Sequence, residues 1–242
     1  MMLGARTAAW AKAGGWINPY ITDGLASMFD SVWNVGGGLS DRTSDRWFDV
    51  VSPAYIEFEN FKHHDDAKIE WTDNAVEITY MNGVGHGMTP VLDAFYNIGS
   101  ATIEFVARNN GNNNNRNYIF RSWSNHDYGI YEIYVGSHNV SNNTKMINPP
   151  KSLTSKLASF SFVCDGSDTL FYRNGEYKGV ESHDTFFQPT ISDEFVAIGN
   201  RYMHGDFTFL GAISSIRIYS KPLSAEEIAH NYAIDKARFN LP

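Results

Sequence analysis

The sequence predicts an all-β fold, a two-sheet antiparallel jelly-roll sandwich that closes with a short C-terminal helix. Segments rich in β-branched and aromatic residues recur at intervals of about 8–20 residues, separated by turn-forming residues. A helix signal is clear only near the C-terminus. The composition, with 43% hydrophobic and 14% aromatic residues, is ample for a large core. Two packed antiparallel sheets bury such strands economically.

The domain organisation is predicted from length and pattern. A chain of 242 residues with no internal repeat and no shift in composition fits one large β domain. Residues 1–20 are rich in Gly, Ala and Trp without clear periodicity, so we interpret them as an N-terminal arm that either docks on a partner or lies across the sandwich. We interpret residues 21–242 as the jelly roll.

Individual strands are predicted from alternation and from bounding turn residues. Alternation places Ile103, Phe105 and Ala107 on one face of a strand. The pair Asn174-Gly175 is typical of a type I′ hairpin, since both residues tolerate positive φ. The predicted strands are residues 75–80, 102–108, 118–123, 129–135, 160–164, 169–173, 195–199 and 207–219.

Two smaller features are also interpreted structurally. The segment from Trp33 to Gly38 contains three consecutive glycines and is expected to be a turn. The lone cysteine, Cys164, alternates with Phe160 and Phe162, so we expect it to be buried as a small hydrophobic residue. A single cysteine allows no intrachain disulfide, and packing must hold the domain together.

The most informative stretch is C-terminal, where a strand leads into a helix. Alternation places Ile216 and Ile218 on one face of the strand and Arg217 on the other. Pro222 ends the ladder because proline has no N–H to donate.

The helix is predicted to begin with a capping box. Ser224 is the N-cap, and Glu227 three residues later completes a pair that satisfies two backbone donors. Leu223 and Ile228 stand at the hydrophobic-staple positions. Apolar residues at i, i+3, i+4 and i+7 predict the buried stripe, which consists of Ala225, Ile228, Ala229 and Tyr232.

This stretch resembles the C-terminal signature of laminin-G-like jelly rolls in the concanavalin A-like lectin and glucanase superfamily. In that family the domain ends with G-x-I-x-x-x-R-x-Y-x-[RK]-x-L-[ST]-x-x-E-I. The resemblance implies the fold and leaves the activity open, because members bind sugars, bind proteins, cut glycans or merely pack. The matching residues are Gly211, Ile213, Arg217, Tyr219, Lys221, Leu223, Ser224, Glu227 and Ile228.

The sequence at the start of the domain predicts where the protein is located. Between Asp23 and Asp49 the order D-G-L, D, N-x-G-x-G and W-x-D resembles the first strands of laminin-G-like domains in phage and prophage structural proteins. Residues 1–16 lack the apolar core of a secretory signal, so we expect assembly in a cytoplasm. Together these features predict a bacteriophage virion, with an extracellular or bacterial cell-surface location as the alternative. The arm, residues 1–20, would then bind other virion proteins.

Charge excludes two partner classes. The formal net charge is −8, whereas binding to nucleic acid phosphates needs clustered Lys and Arg. The same acidity disfavours anionic membranes, and residues 1–16 contain no span that approaches the length of a membrane helix. We therefore predict neither a nucleic acid nor a membrane partner.

Catalysis is not expected either. Glucanases of the superfamily carry a Glu-x-Asp-x-(x)-Glu run that places nucleophile and acid on one face. Glu57, Glu59 and Glu104 do not supply that trio, and the chain has no serine-nucleophile elbow, phosphate loop or zinc signature. We predict that the chain is not an enzyme and requires no cofactor.

Glycan binding needs an exposed aromatic platform beside hydrogen-bonding side chains. The best local fit is a predicted hairpin tip at residues 123–128, with a second loop at residues 201–204. The alternative is that Trp123 belongs to the core and the tip is merely polar. The candidate glycan-binding residues are Trp123, Asn125, His126, Asp127, Tyr128, Arg201 and Tyr202.

Calcium is a further candidate ligand. Many laminin-G-like domains hold Ca²⁺ on one rim with Asp side chains and carbonyl oxygens, which suit a hard cation. The resemblance makes Asp165, Asp168 and Asp206 the candidates here. Alternatively, Asp165 serves its own turn. The run at residues 63–66, His-His-Asp-Asp, is expected to be a solvated loop because adjacent ligands point in different directions.

Two functions follow from these observations. The first is a non-catalytic structural and adhesive protein on a bacteriophage virion, as capsid decoration, head fibre or tail-associated component, that binds host or mucosal glycans. The second is a carbohydrate-binding module of a bacterial cell-surface or secreted system.

Overall fold

Two antiparallel sheets and a C-terminal helix make up the domain, which confirms the predicted fold class. The computed structural model describes residues 18–36, 46–52, 55–57, 68–80, 87–90, 100–109, 120–122, 129–130, 156–165, 168–182, 195–198 and 211–242. In chain order the elements are β1 (Leu25–Asp30), α1 (Ser31–Gly36), β2 (Arg46–Phe48), β3 (Tyr55–Glu57), β4 (Lys68–Trp71), β5 (Val76–Tyr80), β6 (Gly87–Pro90), β7 (Ala101–Asn109), β8 (Phe120–Ser122), β9 (Gly129–Ile130), β10 (Ala158–Cys164), β11 (Asp168–Arg173), β12 (Glu176–Ser182), β13 (Phe195–Ile198), β14 (Gly211–Tyr219) and α2 (Ala225–Phe239).

The described strands pair into one eight-stranded and one six-stranded sheet. The larger sheet has the order β12-β11-β10-β7-β14-β5-β4, and β1 also pairs with β14. The smaller sheet has the order β2-β3-β6-β13-β8-β9. Among the described strands, β12 is therefore the last at one end of the larger sheet, and β14 lies near the middle.

One face of the larger sheet is apolar, as alternation predicted. Phe105 lies opposite Phe160 in the β7–β10 pair, and Ile103 lies opposite Phe162. The rings of Phe105 and Phe162 meet edge-on with centroids 6.5 Å apart. Cys164 continues this row and is buried, which confirms its interpretation as a small core residue.

The predicted hairpin between β11 and β12 is confirmed. Asn174 and Gly175 have φ of 51° and 74°, the positive values that a type I′ turn requires. The backbone N–H of Asn174 donates to the carbonyl of Ser159 at 2.9 Å, and its carboxamide oxygen accepts from the N–H of Ser159 at 3.0 Å. These two bonds fasten the hairpin tip to the start of β10.

The expectation of a turn from Trp33 to Gly38 is wrong in its first part, because residues 31–36 form helix α1. The carboxylate of Asp30 accepts from the N–H groups of Val32 at 3.1 Å and Trp33 at 2.8 Å. An aspartate at this position satisfies first-turn donors, so it starts a helix despite the glycines that follow.

Helix α2 begins as predicted. The Ser224 side chain accepts from the N–H of Glu227, and the Glu227 carboxylate accepts from the N–H of Ser224 at 2.8 Å. Leu223 and Ile228 share one buried cluster with Tyr219, as the staple positions predicted. The helix runs on to Phe239, where Asn240 caps it in the left-handed conformation.

The predicted apolar stripe of α2 is confirmed at Ile228 and wrong at its two alanines. Ala225 and Ala229 are exposed, and Tyr232 is only partly buried. Besides Ile228, the buried face of the helix consists of Asn231, Asp235 and Phe239. Two polar residues therefore lie in the middle of the buried face, and they need partners there. Among the described residues, no helix is long and apolar enough to span a lipid bilayer.

Candidate functional site

The glycan-binding candidates from the sequence fall outside the described residues. This applies to Trp123, Asn125, His126, Asp127, Tyr128, Arg201 and Tyr202, and also to the calcium candidate Asp206. Of the other calcium candidates, Asp165 uses its carboxylate in a turn, where Oδ1 accepts from the N–H of Asp168 at 2.9 Å. Within the part of the chain that is described, no group of three or more His, Cys, Asp or Glu residues is placed to hold a metal ion.

Asn231 and Asp235 on the polar face of α2 meet Glu104 and Arg217 on the larger sheet. We call these four residues the buried polar layer. Arg217 donates from Nη1 and Nη2 to the two carboxylate oxygens of Asp235 at 2.8 and 2.6 Å. Its Nε donates to Glu104 at 2.9 Å. The Asn231 amide donates to the same Glu104 oxygen at 2.8 Å. One guanidinium thus joins the helix to strands β7 and β14.

Hydroxyl groups complete this layer. Ser161 donates to Glu104 at 2.9 Å, and Ser159 donates to Asp235 at 3.2 Å. The Tyr219 hydroxyl accepts from Asn231 at 3.0 Å. Tyr20, the last residue of the predicted arm, donates to Asp235 at 2.7 Å and places its ring 4.1 Å from the Arg217 guanidinium carbon. The buried charges are tolerated here because hydrogen bonds satisfy the carboxylate lone pairs and the guanidinium protons.

Burial dominates the electrostatics of the layer. It raises the pKa of Glu104 above the usual range, and the neighbouring Arg217 opposes that rise. Burial acts to lower the pKa of Arg217, but Asp235 and Glu104 outweigh it, so that pKa lies well above its ordinary value. Burial also raises the pKa of the Tyr20 and Tyr219 hydroxyls. The guanidinium therefore keeps its proton.

The layer is closed to ligands. The side chains of Arg217, Glu104 and Asp235 are at most 1% exposed. A second arginine, Arg238, closes the neighbouring side by a bidentate pair with Asp30 at 2.8 and 2.9 Å and by stacking 3.6 Å above the Trp33 ring. The Arg and Tyr of the C-terminal signature thus hold the helix on the sheet.

Sequence reasoning missed this layer, although a signal was present. Asn231 and Asp235 lie three and seven residues after Ile228, on the same helical face. Arg217 alternates with isoleucines in a strand that is buried along its whole length. A charged residue in such a strand needs an opposite charge, and Asp235 on the following helix supplies one.

An open cleft lies where the β11–β12 hairpin meets the end of α2. Its volume is about 620 Å³. We call it the hairpin–helix cleft, and its lining residues are Arg173, Asn174, Glu176, Lys178, Tyr232, Lys236 and Pro242. This volume lies within the range of small-molecule sites, about 300–1,000 Å³.

A glycine brings the two walls of the cleft together. A Cβ atom built on Gly175 would lie 2.8 Å from Cδ1 of Tyr232, so the hairpin backbone touches the tyrosine ring directly. The Tyr232 hydroxyl donates to the carbonyl of Pro242. The backbone N–H of Leu241 donates to the Lys236 carbonyl at 3.2 Å, which folds the chain end back towards the cleft. Local turn and cap geometry therefore position the aromatic ring.

The cleft also carries charge. Lys178 pairs with Glu176 at 2.7 Å, and this contact lowers the pKa of the Glu176 carboxyl. The Lys236 ammonium lies 5.9 Å from the Tyr232 ring centroid. Arg173 lies opposite Glu176 in the strand register, with its guanidinium carbon 5.9 Å from the Phe160 ring centroid. The lining thus combines an aromatic ring with cationic, carboxylate and amide groups.

Tyr177, between Glu176 and Lys178 in the chain, does not line the cleft, but it is the most exposed aromatic residue among those described. Its side chain is 53% exposed on strand β12. The ring stands edge-on to Tyr172 with centroids 5.7 Å apart, which fixes its orientation. An open, oriented ring of this kind can cover the apolar face of a small polar molecule.

Comparison with protein families gives one result. A laminin-G-type family model, described as the concanavalin A-like lectin/glucanases superfamily, matches residues 80–229, which is more than half of the chain. No curated protein sequence matches the chain.

Solved structures with a similar fold include those of the following three proteins. A Trypanosoma rangeli sialidase in complex with the inhibitor DANA is 13% identical with a TM-score of 0.60, and the match covers 94% of this chain and 37% of the sialidase chain. The chain thus spans under two fifths of that protein. Domain 4 of AbnA, a GH43 extracellular arabinanase from Geobacillus stearothermophilus in complex with arabinotriose, is 17% identical with a TM-score of 0.57, covering 86% of this chain and 98% of that domain. The botulinum neurotoxin serotype G binding domain is 12% identical with a TM-score of 0.58, covering 88% and 51%. At these identities the likeness concerns the fold.

Proposed function

Because the chain belongs to the concanavalin A-like lectin/glucanase superfamily, we propose that it is a non-catalytic carbohydrate-binding protein whose ligand occupies the hairpin–helix cleft. The observation that carries this proposal is the cleft itself, which joins the Tyr232 ring to charged and amide side chains around about 620 Å³. Ligand sites combine a concave apolar surface with a few polar groups that fix orientation. Sugars match this arrangement with one apolar ring face and a rim of hydroxyl groups.

The ligand class is supported by a whole-domain likeness. The match to the arabinanase domain covers 98% of that domain, and the structure holds arabinotriose. In that structure a domain of this fold is in complex with a short oligosaccharide. We propose the same class of ligand here.

Three carboxylates within the described part of the chain support the non-catalytic part of the proposal. Glu104 and Asp235 are held by the same guanidinium and are at most 1% exposed, so a substrate cannot reach them. In the cleft, Glu176 is engaged by Lys178. A glycosidase needs two carboxyl groups that flank the scissile bond.

The test is a glycan array followed by calorimetric titration of the best ligand, in calcium and in EDTA. Tyr177→Ala removes the exposed ring that follows the lining residue Glu176 in the chain, and Val180→Ala is the matched control, since Val180 is 48% exposed on the same strand. We expect about tenfold weaker binding for Tyr177→Ala, because losing one aromatic contact removes on the order of 1.5 kcal/mol. Binding by Val180→Ala is expected to equal that of the wild type.

Three results would count against parts of this proposal. An array without signal in either buffer would reject carbohydrate binding. Equal affinity of Tyr177→Ala and the wild type would remove Tyr177 from the site. Release of reducing sugar from a bound oligosaccharide would reject the non-catalytic assignment.

A second candidate is the virion setting, which the resemblance of residues 23–49 to phage structural proteins favours. Here the carbohydrate-binding domain would attach to the particle through residues 1–20 and present the cleft to glycans. The protein is expected in stoichiometric amounts in purified particles, measured by quantitative mass spectrometry. Its absence from particles would leave the bacterial cell-surface or secreted module as the setting.

A further inference from the structure

One side-chain amide of the hairpin–helix cleft is oriented so that it offers a ligand its donor end. The carboxamide oxygen of Asn174 accepts from the backbone N–H of Ser159 at 3.0 Å. A backbone N–H can only donate, so the side-chain atom that faces Ser159 must be the oxygen and not the nitrogen. Within the described part of the chain, no residue accepts from Nδ2 of Asn174. Since Asn174 lines the cleft, its two Nδ2 protons are available to a ligand there.

The backbone that holds this amide is anchored in the core. The N–H of Asn174 donates to the Ser159 carbonyl at 2.9 Å, and the buried hydroxyl of Ser159 donates to Asp235 at 3.2 Å. Asn174 and Gly175 hold their positive φ values in a tight turn. The amide therefore has its orientation before a ligand arrives, and a donor held in this way loses little conformational entropy on binding.

An aromatic ring and a carboxylate oxygen are close to this amide in the cleft. The ring of Tyr232 touches the backbone of Gly175, the residue that follows Asn174, since a Cβ atom on Gly175 would lie 2.8 Å from Cδ1 of the ring. Glu176 comes next in the chain. Its Oε2 accepts from Lys178 at 2.7 Å, and among the described residues none donates to its Oε1. The cleft thus combines a donor, an apolar surface and an acceptor.

An acetamido group has the parts that complement these three features. Its carbonyl oxygen accepts a hydrogen bond, its N–H donates one, and its methyl group is apolar. A hydroxyl group can meet the donor or the acceptor, but it has no apolar part for the ring. Burial of one methyl group against the ring adds a hydrophobic contribution that a hydroxyl cannot make.

We infer that the hairpin–helix cleft selects 2-acetamido sugars, whose carbonyl oxygen accepts from Asn174, whose N–H donates to Glu176 and whose methyl group packs on Tyr232. This inference rests on the proposed carbohydrate-binding function and names the substrate class for that same site. Asn174 is the residue that determines this specificity, because its amide donates to the one group that a hydroxyl sugar lacks.

The experiment compares pairs of probes that differ in the acetamido group, by calorimetric titration into the full chain. Chitotriose is compared with cellotriose, and methyl N-acetylgalactosaminide with methyl galactoside. The key variant is Asn174→Asp. Aspartate keeps the oxygen that accepts from Ser159 and tolerates positive φ, but it replaces the Nδ2 donor with a second acceptor.

The matched control is Asn18→Asp. It makes the same change at a residue outside the cleft lining and keeps the oxygen that accepts from the N–H of Tyr20 at 3.1 Å. Circular dichroism and thermal unfolding show whether both variants fold. A measurement on the wild type needs no variant: the side-chain amide NMR signals of Asn174 are followed while each probe is added.

We expect the wild type to bind at least one acetamido probe about tenfold more tightly than its hydroxyl counterpart, the ratio that one hydrogen bond and one buried methyl group supply together. Asn174→Asp should lose most of that ratio, and Asn18→Asp should keep it. The Asn174 amide signals should shift further with the acetamido probe than with its counterpart. A preference in both pairs indicates recognition of the acetamido group alone, and a preference in one pair adds a contribution of the sugar configuration; both support the inference.

Failure of the inference is distinct from failure of the proposed function. Equal binding of acetamido and hydroxyl probes would overturn the selection while carbohydrate binding stands. A preference that survives in Asn174→Asp would overturn the assignment to Asn174, and if that variant does not fold, unshifted Asn174 amide signals in the wild type would do so. Failure to bind these probes by a protein that binds other sugars on the array would overturn the inference alone. An array without signal would reject both proposals.

Discussion

The buried polar layer and the hairpin–helix cleft are built from the same chemical groups. Each has arginine or lysine, a carboxylate, an asparagine and a tyrosine. They differ in exposure: Arg217 and Asp235 are 1% and 0% exposed, whereas Lys178 and Glu176 are 33% and 76% exposed. The first set is saturated by its own hydrogen bonds, and the second lies open beside an aromatic ring. The same side chains hold the helix in one place and can meet a ligand in the other.

The largest expected difference concerns stability. Arg217→Met should lower the free energy of unfolding by about 3–5 kcal/mol, because it leaves Glu104 and Asp235 buried without their cation. The matched change, Arg108→Met, breaks the pair with Glu77, whose two side chains are 29% and 23% exposed, and should cost less, about 1 kcal/mol, because water still reaches both groups. Urea denaturation measures both. Equal losses at the two sites would contradict the distinction between the fully buried layer and a solvent-accessible pair.

The next prediction concerns the backbone contact that forms the cleft. Gly175→Ala should destabilise by more than about 1 kcal/mol, because φ is positive and the new Cβ would meet Tyr232 at 2.8 Å. Gly179→Ala is the control, since nothing lies within 4 Å of its Cβ position. Thermal unfolding compares the two variants. If Gly175→Ala is as stable as Gly179→Ala, the ring does not pack on the hairpin.

A smaller effect is expected at the start of α2. Ser224→Ala removes the N-cap side chain and should cost about 1 kcal/mol. It should leave glycan affinity unchanged, because the cap lies at the opposite end of the helix from Lys236. Denaturation and titration of one sample measure both quantities. A loss of affinity without a loss of stability would place the binding surface near the cap instead.

The capping box also predicts the smallest effect, a pH dependence. The hydrogen bond from the Ser224 N–H, followed by the contact with Lys221, lowers the pKa of Glu227 below its ordinary value of 4.5. A depressed carboxyl pKa contributes stability that is present above pH 4.5 and is lost as the pH falls through the folded-state value. Glu227→Gln should lack this part of the dependence. Identical pH profiles of unfolding for wild type and Glu227→Gln would reject the shift.

The sequence predicts features formed by neighbouring residues, and it does not predict contacts between residues far apart in the chain. The turn at Asn174-Gly175 and the cap formed by Ser224 and Glu227 are local, so neighbouring residues contain the whole signal. The buried layer joins Arg217 to Glu104, 113 positions away, and no local pattern encodes that pairing. The helical stripe was misread because apolar periodicity ignores polar residues that are paired across the fold. Helix α1 was missed because the capping effect of Asp30 outweighs the glycines.

The candidate site, too, depends on contacts between residues that are far apart in the sequence. The prediction relied on a local run, residues 123–128, because one hairpin tip can be recognised in a sequence. The cleft instead joins a hairpin tip to a helix 58 positions further along, counted from Asn174 to Tyr232. The packing of Gly175 on the ring of Tyr232 is a contact between these two segments that no local pattern predicts.

The most direct measurement is a titration of the best-binding oligosaccharide into labelled full chain, followed by backbone amide NMR. Binding in the hairpin–helix cleft predicts that the largest shift changes cluster at residues 173–178 and 232–236, with small changes at Glu104 and Arg217 in the buried layer. Changes concentrated at residues 123–128 and 201–204, with the hairpin and α2 unaffected, would contradict the assignment of the cleft as the carbohydrate site.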